Sequence, residues 1–528
     1  MKRREMIRQV LPGMGGILSG LLLAAGYAPV SWANGIWFSL VPLLVSLRFV
    51  DRQAGGLVGY AAGVTFWLAS LIWLTRVTYV GTVLLAMYCA LFLLPVVITA
   101  HAWMARFGTR RLIPNLGLMC GLTAVWCGSE FVRSTFLTGF PWNPLGATQY
   151  RNIALLTHTT WGGVYAISGL IVWVNTGLAL TLLRYLRPED RQLRRPHLEL
   201  TVSIAALLAA FVLGLQGFHR AEAAATGTEM RAALIQPNIP QDEKWTKEKI
   251  DFIYQRLEHL TDSAVAYTRP DLAIWPETAV PEDVRFSDQA YALVNRLSRL
   301  GSPLLVGTMD AIWDDEGKPY YFNSSMLFGT NGQWLAQYDK RHLVLLGEYV
   351  PWGDDTPFLR VMSPIAASFT PGATSTVFRL EQPGVWFGVL ICFEDTMASL
   401  GRETVRNGAR LLINQTNDAW FDPLAASRQH LIHSVLRAAE NRVPVLRAAN
   451  SGVSCAIDRF GRIQDVLADD AGGVRIHGFQ ITSVQVPPTD MPLTWYTRHG
   501  DVFAGVCLVL GLPIFGWALV HRRRSFAG

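Results

Sequence analysis

The sequence predicts an α-helical transmembrane bundle joined to an α/β domain. Two observations carry this: long apolar stretches at both ends of the chain, and a central segment in which short apolar runs alternate with helical ones. Of the 528 residues, 51% are hydrophobic and 16% charged, against about a quarter charged in soluble proteins, which disfavours a wholly soluble chain.

A bilayer-spanning helix needs about 20 mainly apolar residues. Such stretches lie near 10–28, 35–49, 54–75, 79–103, 115–132, 161–184, 200–217 and 502–520. The second is short, and the fifth carries Glu130 near one end. Eight spans put both termini on the same side, and positive residues resist export. Lys2, Arg3, Arg4, Arg8, Arg522, Arg523 and Arg524 mark the ends as cytoplasmic. The loops predicted to lie inside carry Arg48 and Arg52; Arg106, Arg110 and Arg111; and Arg184, Arg187, Arg191, Arg194 and Arg195. The loops predicted to lie outside hold little beyond Arg76, Arg133 and Arg151, so the long segment between spans seven and eight belongs outside the cytoplasm. The alternative for the first span is a cleaved signal peptide, with Ser31-Trp32-Ala33 as the small-residue site. Gly16 and Gly20 in that span form a GxxxG pair, the pattern of close helix packing.

The formal charge of +6 is explained by this topology, because the excess arginine flanks apolar spans and forms no nucleic-acid-binding patch. Four of the six cysteines, Cys89, Cys120, Cys127 and Cys507, fall within or beside the spans, which leaves Cys392 and Cys455 for the soluble part. No CxxC pair or HExxH helix occurs, and His430 with His433 lacks a further ligand, so no metal is expected.

From about 220 to 498 the strand candidates are 233–239, 271–277, 303–309, 324–329, 385–392, 410–416 and 443–449, with a hairpin turning at Arg459-Phe460-Gly461. Helices are expected near 247–267, where Ile250, Ile253, Leu257 and Leu260 recur at helical spacing, and at 287–300, 396–407 and 427–441. The assignment gives three regions: a bundle over 1–217, a globular domain over 220–498 and a terminal helix over 502–520.

Reactive groups in α/β sheets gather where strands end. One strand here runs into Pro276-Glu277, the polar stretch 338–342 contains Lys340, and an apolar run delivers Cys392 into Phe393-Glu394-Asp395. A thiolate attacks carbonyl carbon when a base removes its proton and a cation or backbone N–H stabilises the oxyanion. Glu277 offers the base and Lys340 the charge. Taken singly, each has a bland alternative: a capping acid, a solvated lysine, and a buried structural cysteine or one bonded to Cys455.

The blocks WPET (275–278), YDKRHLV (338–344) followed by GEYVP, and ICFED (391–395) resemble, in this order, the carbon–nitrogen hydrolase or nitrilase superfamily. With the apolar spans, and with QPNIPQDEKW and NQTNDAWF, the chain is similar over essentially its whole length to the apolipoprotein N-acyltransferase family. The resemblance implies a nitrilase-like αββα sandwich, periplasmic, on a multi-pass protein of the bacterial inner membrane. It implies Glu277 as general base, Lys340 as oxyanion stabiliser and Cys392 as nucleophile. Glu348 would orient Lys340 or assist proton transfer, Phe393 would offer its amide to the oxyanion, and Glu394 would support the nucleophile. Trp245, Tyr349 and Trp420 would meet substrate. The implied activity is acyl transfer from a phospholipid to the N-terminal amine of a diacylglyceryl apolipoprotein, with no cofactor. Leu345-Leu346 and Phe393 depart from the family's common Pro-Phe and Tyr, which bears on loop shape and substrate preference. A membrane-tethered amidase, and a non-enzymatic transporter or scaffold, are the rival classes.

Overall fold

The computed structural model describes residues 2–186, 197–224, 226–351, 368–420 and 424–521. Arg187, Arg191, Arg194, Arg195, Arg522, Arg523 and Arg524, used above for orientation, lie outside them. The chain divides into two compact units, Met1–His219 with Asp501–Gly528, and Arg220–Gly500.

Among the described residues five helices are long and apolar enough to cross a membrane: Tyr79–Phe107, Leu112–Thr135, Thr159–Leu186, Leu198–Ala223 and Val502–Val520. The other three expected spans are helical but fall short of that standard. Leu11–Ala25 and Ala33–Phe49 are shorter apolar helices, the second broken into 3-10 and α pieces. Arg52–Ser70 has the length, but its apolar run is diluted by Arg52, Gln53 and four glycines. The GxxxG pair packs as its spacing predicts. A methyl group on Gly16 would lie 2.7 Å from the Val58 carbonyl oxygen and one on Gly20 2.5 Å from that of Ala62, so only glycine lets these helices touch backbone to backbone.

Glu130, buried in the helix Leu112–Thr135, accepts a 2.7 Å hydrogen bond from the Leu145 amide. Arg133, one turn on, donates to the carbonyls of Phe140 and Trp142 at 2.5 and 2.8 Å. Both charges thereby satisfy the irregular backbone after the helix, the condition under which such backbone is tolerated in an apolar surrounding.

The second unit contains twelve strands among the described residues: β1 Thr228–Gln236, β2 Leu272–Ile274, β3 Leu304–Trp313, β4 Pro319–Phe328, β5 Trp334–Asp339, β6 Val377–Leu380, β7 Val385–Ile391, β8 Leu411–Thr416, β9 Val445–Ala449, β10 Cys455–Ile457, β11 Ile463–Gln464 and β12 Gly478–Val486. They form two six-stranded sheets, ordered β12-β1-β2-β3-β4-β5 and β11-β10-β9-β8-β7-β6. In β1, Met230, Ala232 and Leu234 join a core with Phe387, Val389 and Ile391 of β7 and Leu411 and Ile413 of β8. Ala233 and Ile235 point the other way, into a core with Ile253 and Leu257 of the helix Ile250–Thr268 and Val294 of the helix Asp288–Ser298. This two-residue alternation places one sheet face against the second sheet and the other against helices. The helices Ala398–Arg406 and Ala425–Asn441 pack with the second sheet, which completes the nitrilase-like αββα order.

All seven predicted strands and the hairpin are present. The turn closes with the Gly461 amide donating to the Asp458 carbonyl at 2.9 Å and the Asp458 amide to that of Arg462 at 2.9 Å. Strands β5, β6 and β12 were not predicted. Each mixes polar with apolar residues or is only four residues long.

Candidate active site

Glu277 stands just beyond β2, where Pro276, having no N–H, ends the ladder. The turn packs against Gly307 of β3. A methyl group there would collide with the Pro276 carbonyl oxygen and lie 2.8 Å from the Glu277 Cα. Glu277 is 7% exposed and its carboxylate is held by three groups: Oε1 accepts from Asn323 Nδ2 at 2.8 Å and lies 3.4 Å from Lys340 Nζ, while Oε2 accepts from the Asn417 amide at 2.9 Å. Asn323 belongs to β4 in one sheet, and Asn417 follows β8 in the other.

Lys340 follows β5, its amide held by the Asn323 carbonyl at 2.8 Å. Its ammonium, 1% exposed, bridges Glu277 and Glu348, at 3.4 and 2.8 Å. Burial alone would discharge it, but the Glu348 and Glu277 carboxylates outweigh that cost and hold it above the ordinary lysine range. Glu348 also accepts from Asn323 at 3.1 Å and, through Oε2, from the Val344 amide at 2.9 Å, which folds its loop back onto the lysine.

Cys392 ends β7 with φ +52°, a left-handed conformation that a cysteine adopts only when its surroundings impose it. Asn414 of β8 donates to its carbonyl at 3.1 Å and to that of Leu390 at 2.9 Å, and His430 Nε2 lies 3.3 Å from the Cys392 carbonyl. Cys392 is half-buried as a residue, and both it and Cys455 are free, so the disulfide alternative falls. Burial pushes the thiol well up. Glu277 and Asp418 push the same way, whereas Lys340 pulls it down.

Glu394 is fully buried. Oε1 accepts from the amides of Arg341 and His342 at 2.7 and 3.0 Å, Oε2 accepts from that of Ile391 at 2.8 Å, and Tyr338 donates to both oxygens. It therefore ties the Lys340 loop to the Cys392 turn. Phe393 stacks on His342, ring centroids 6.1 Å apart.

The expected Glu277 and Lys340 are thus in contact, and both act electrostatically on Cys392. Trp245 and Trp420, 46% and 40% exposed, line a cavity of about 720 Å³ with Pro240, Gln241, Asp242 and Arg475. Tyr349 lies elsewhere, in the loop closed by the Leu346 amide donating to its carbonyl at 2.9 Å.

Model comparison assigns residues 19–177 to the apolipoprotein N-acyltransferase N-terminal domain and residues 231–486 to carbon–nitrogen hydrolase. Apolipoprotein N-acyltransferase of Geobacter metallireducens is 33% identical, with 96% of this chain and 95% of that protein covered. The chain belongs to the apolipoprotein N-acyltransferase family. Members from Allorhizobium ampelinum and Brucella melitensis are 30% and 31% identical, covering 88% and 84% of this chain and 89% and 84% of their own. Among solved structures, Saccharomyces cerevisiae Nit3 of the nitrilase superfamily aligns over 49% of this chain and 93% of its own, at 17% identity and a TM-score of 0.38.

In this family member several residues around the site had not been singled out from the sequence. Asn323 bridges the two carboxylates that flank Lys340. Beneath the Cys392 turn, Asp395 and Asp418 clasp His430 at 2.9 Å each, and Arg447 reaches the same two carboxylates at 3.3 and 2.6 Å. Both imidazole nitrogens face carboxylates, so the ring is an imidazolium, with its pKa raised to about 9. Asp395 is correspondingly held at about 2. The one legible signal was His430 itself, weighed above as a metal ligand; its partners Asp395, Asp418 and Arg447 are spread over three other elements. Lys244 was passed over although it precedes Trp245.

Proposed function

We propose that this chain is an apolipoprotein N-acyltransferase, moving an acyl chain from a phospholipid to the N-terminal amine of a diacylglyceryl-cysteine through a thioester on Cys392. The observation that supports this most is the buried ion pair of Lys340 with Glu277 and Glu348, coupled to a cysteine in strained backbone at a strand end. Family membership supplies the substrate classes.

In the first half-reaction Glu277 accepts the thiol proton as sulfur attacks the ester carbonyl, and Lys340 holds the oxyanion, with the Phe393 amide as second donor. The carbon–oxygen bond then breaks, and the lysophospholipid alkoxide leaves with the proton from Glu277. In the second, the lipoprotein amine attacks the thioester, Glu277 takes its proton, and collapse forms the amide and regenerates the thiol. Trp245 and Trp420, on their shared cavity, and Tyr349 are assigned to substrate contact.

The domain assignment is a bundle over 1–217, a periplasmic catalytic domain over 220–498 and a final helix over 502–520, with both termini cytoplasmic in the inner membrane. The arginine-rich loops support that orientation. Such an arrangement keeps the lipids' acyl chains in hydrocarbon, which avoids about 0.8 kcal/mol for each CH₂ exposed to water.

Incubation of the purified protein with labelled phospholipid is expected to give a hydroxylamine-sensitive adduct that is absent from Cys392→Ala. Label persisting in that variant refutes the nucleophile assignment, and ammonia release from small amides without lipid transfer would favour an amidase.

A further inference from the structure

Lys340 is not the sole buried lysine at this site. Lys244, in the turn after β1, is 2% exposed, and its Nζ donates to Thr278 Oγ1 at 2.7 Å and to the Glu277 carbonyl at 3.3 Å. These atoms belong to the two residues of the turn that presents Glu277, and Thr278 is itself left-handed, at φ +41°. The ammonium also faces the Trp245 ring, 5.5 Å from its centroid. The titratable groups that act on it are Glu277, from the end of β2, and Cys392, from the end of β7.

An ammonium removed from water is strongly disfavoured unless something nearby needs its charge, and a methionine would fill the same space without that cost. Neither hydrogen-bond acceptor of Lys244 is charged, so no close ion pair accounts for its burial. What remains nearby is anionic in the proposed reaction: the Glu277 carboxylate and the Cys392 thiolate.

We propose that Lys244 is a positioning residue for the acyl transfer: it fixes the Glu277-Thr278 turn through its two hydrogen bonds and supplies a second positive charge that favours the Cys392 thiolate. The inference rests on Cys392 being the nucleophile. Lys340 is held charged by two carboxylates, whereas Lys244 is not, and burial brings its pKa down to about 8, with Glu277 and Cys392 opposing that fall. Its contribution is therefore present below about pH 8 and fades above it.

The test reads thiol reactivity and needs no lipid substrate. Full-length protein in detergent is treated with iodoacetamide across a pH series, and alkylation of the Cys392 peptide is followed by mass spectrometry. Lys244→Gln keeps a donor for Thr278 and removes the charge. It is expected to slow alkylation about tenfold near about pH 7, the effect of roughly one unit in thiol pKa, and to converge with the wild type near about pH 10. A purely structural role would lower both ends of the profile alike. Lys244→Arg keeps its charge throughout, so its alkylation should outpace the wild type above about pH 8. If the Gln variant does not fold, an Arg profile superimposable on the wild type overturns the proposal, as does a Gln profile superimposable on the wild type. Failure of wild-type Cys392 to react at any pH would instead sink the nucleophile assignment on which it rests.

Discussion

His430 offers a direct measure of how the Cys392 turn is held. The ring is 2% exposed, and its two nitrogens lie 2.9 Å from Asp395 and Asp418. Burial and Arg447 work against its charge, but the two carboxylates overcome both and raise its pKa from 6.5 to about 9. That difference corresponds to about 3 kcal/mol of folding free energy. Because the folded-state pKa lies above the unfolded one, the stabilisation is complete below pH 6.5 and is lost as pH rises through about 9. Asp395, held at about 2, stays ionised across this window, and His433, pushed down to about 3 by burial, stays neutral. At roughly 2–4 °C per kcal/mol for a unit of this size, the melting temperature should fall by about 6–12 °C between about pH 6 and about pH 10 from this group alone. Other groups titrate over the same range, so the informative quantity is a difference of differences. Wild type and His430→Gln are melted at both pH values, and the pH-dependent loss should be smaller in the variant by that amount. The variant should also be weaker throughout near neutral pH, by about 3–5 kcal/mol, because it leaves buried carboxylates with less compensation. Equal pH-dependent losses in the two proteins would refute an imidazolium at this position.

Three other substitutions probe separate supports of the site. Glu348→Gln removes the nearer of the two carboxylates on Lys340 and is expected to lower the rate of thioester formation about 10²-fold or more while leaving the fold intact, as read by labelled-phospholipid transfer and a thermal melt. Gly307→Ala places a methyl group against the Pro276 carbonyl and the Glu277 Cα; a loss of about 1–3 kcal/mol in stability, together with reduced transfer, is expected, and an unchanged rate would show that the turn can shift freely. Glu394→Ala unties the Lys340 loop from the Cys392 turn and leaves three amides and the Tyr338 hydroxyl without their acceptor, so faster hydrogen exchange at residues 341–342 and 391 should accompany a loss of activity.

The legible part of this structure was the part written in periodicity and in unusual strand ends. The helix Ile250–Thr268 and strands β7, β8 and β9 carry strong apolar patterns, and Glu277, Lys340 and Cys392 stand where such patterns stop. Strand β12 was missed because Gln480, Thr482, Ser483 and Gln485 interrupt its apolar residues, and one of these polar residues, Thr482, is itself deeply buried. Only five of the eight expected spans meet a strict length and apolarity standard among the described residues, because 3-10 turns break Ala33–Phe49 and glycines dilute Arg52–Ser70. The supports of the site were hidden most completely. Asn323, Asn414 and Arg447 lie inside strands, where sequence gives no cue that a polar side chain faces a distant carboxylate or carbonyl.

These hidden supports share one electrostatic logic. Glu277 raises the Cys392 pKa as a neighbour and yet is the group proposed to take its proton, two effects that oppose each other only while the thiol rests. A thiol with a raised pKa stays protonated until a carbonyl is within reach. In the proposed attack, negative charge moves from the sulfur to the carbonyl oxygen and the proton moves to Glu277, so the carboxylate loses the charge that disfavoured the thiolate. Lys340 is then left facing the new oxyanion without competition from Glu277, while Lys244 still holds the Glu277-Thr278 turn through its backbone and hydroxyl contacts. Removing either cation should therefore slow attack more than it weakens lipid binding, which is the difference between stabilising a transition state and holding a substrate.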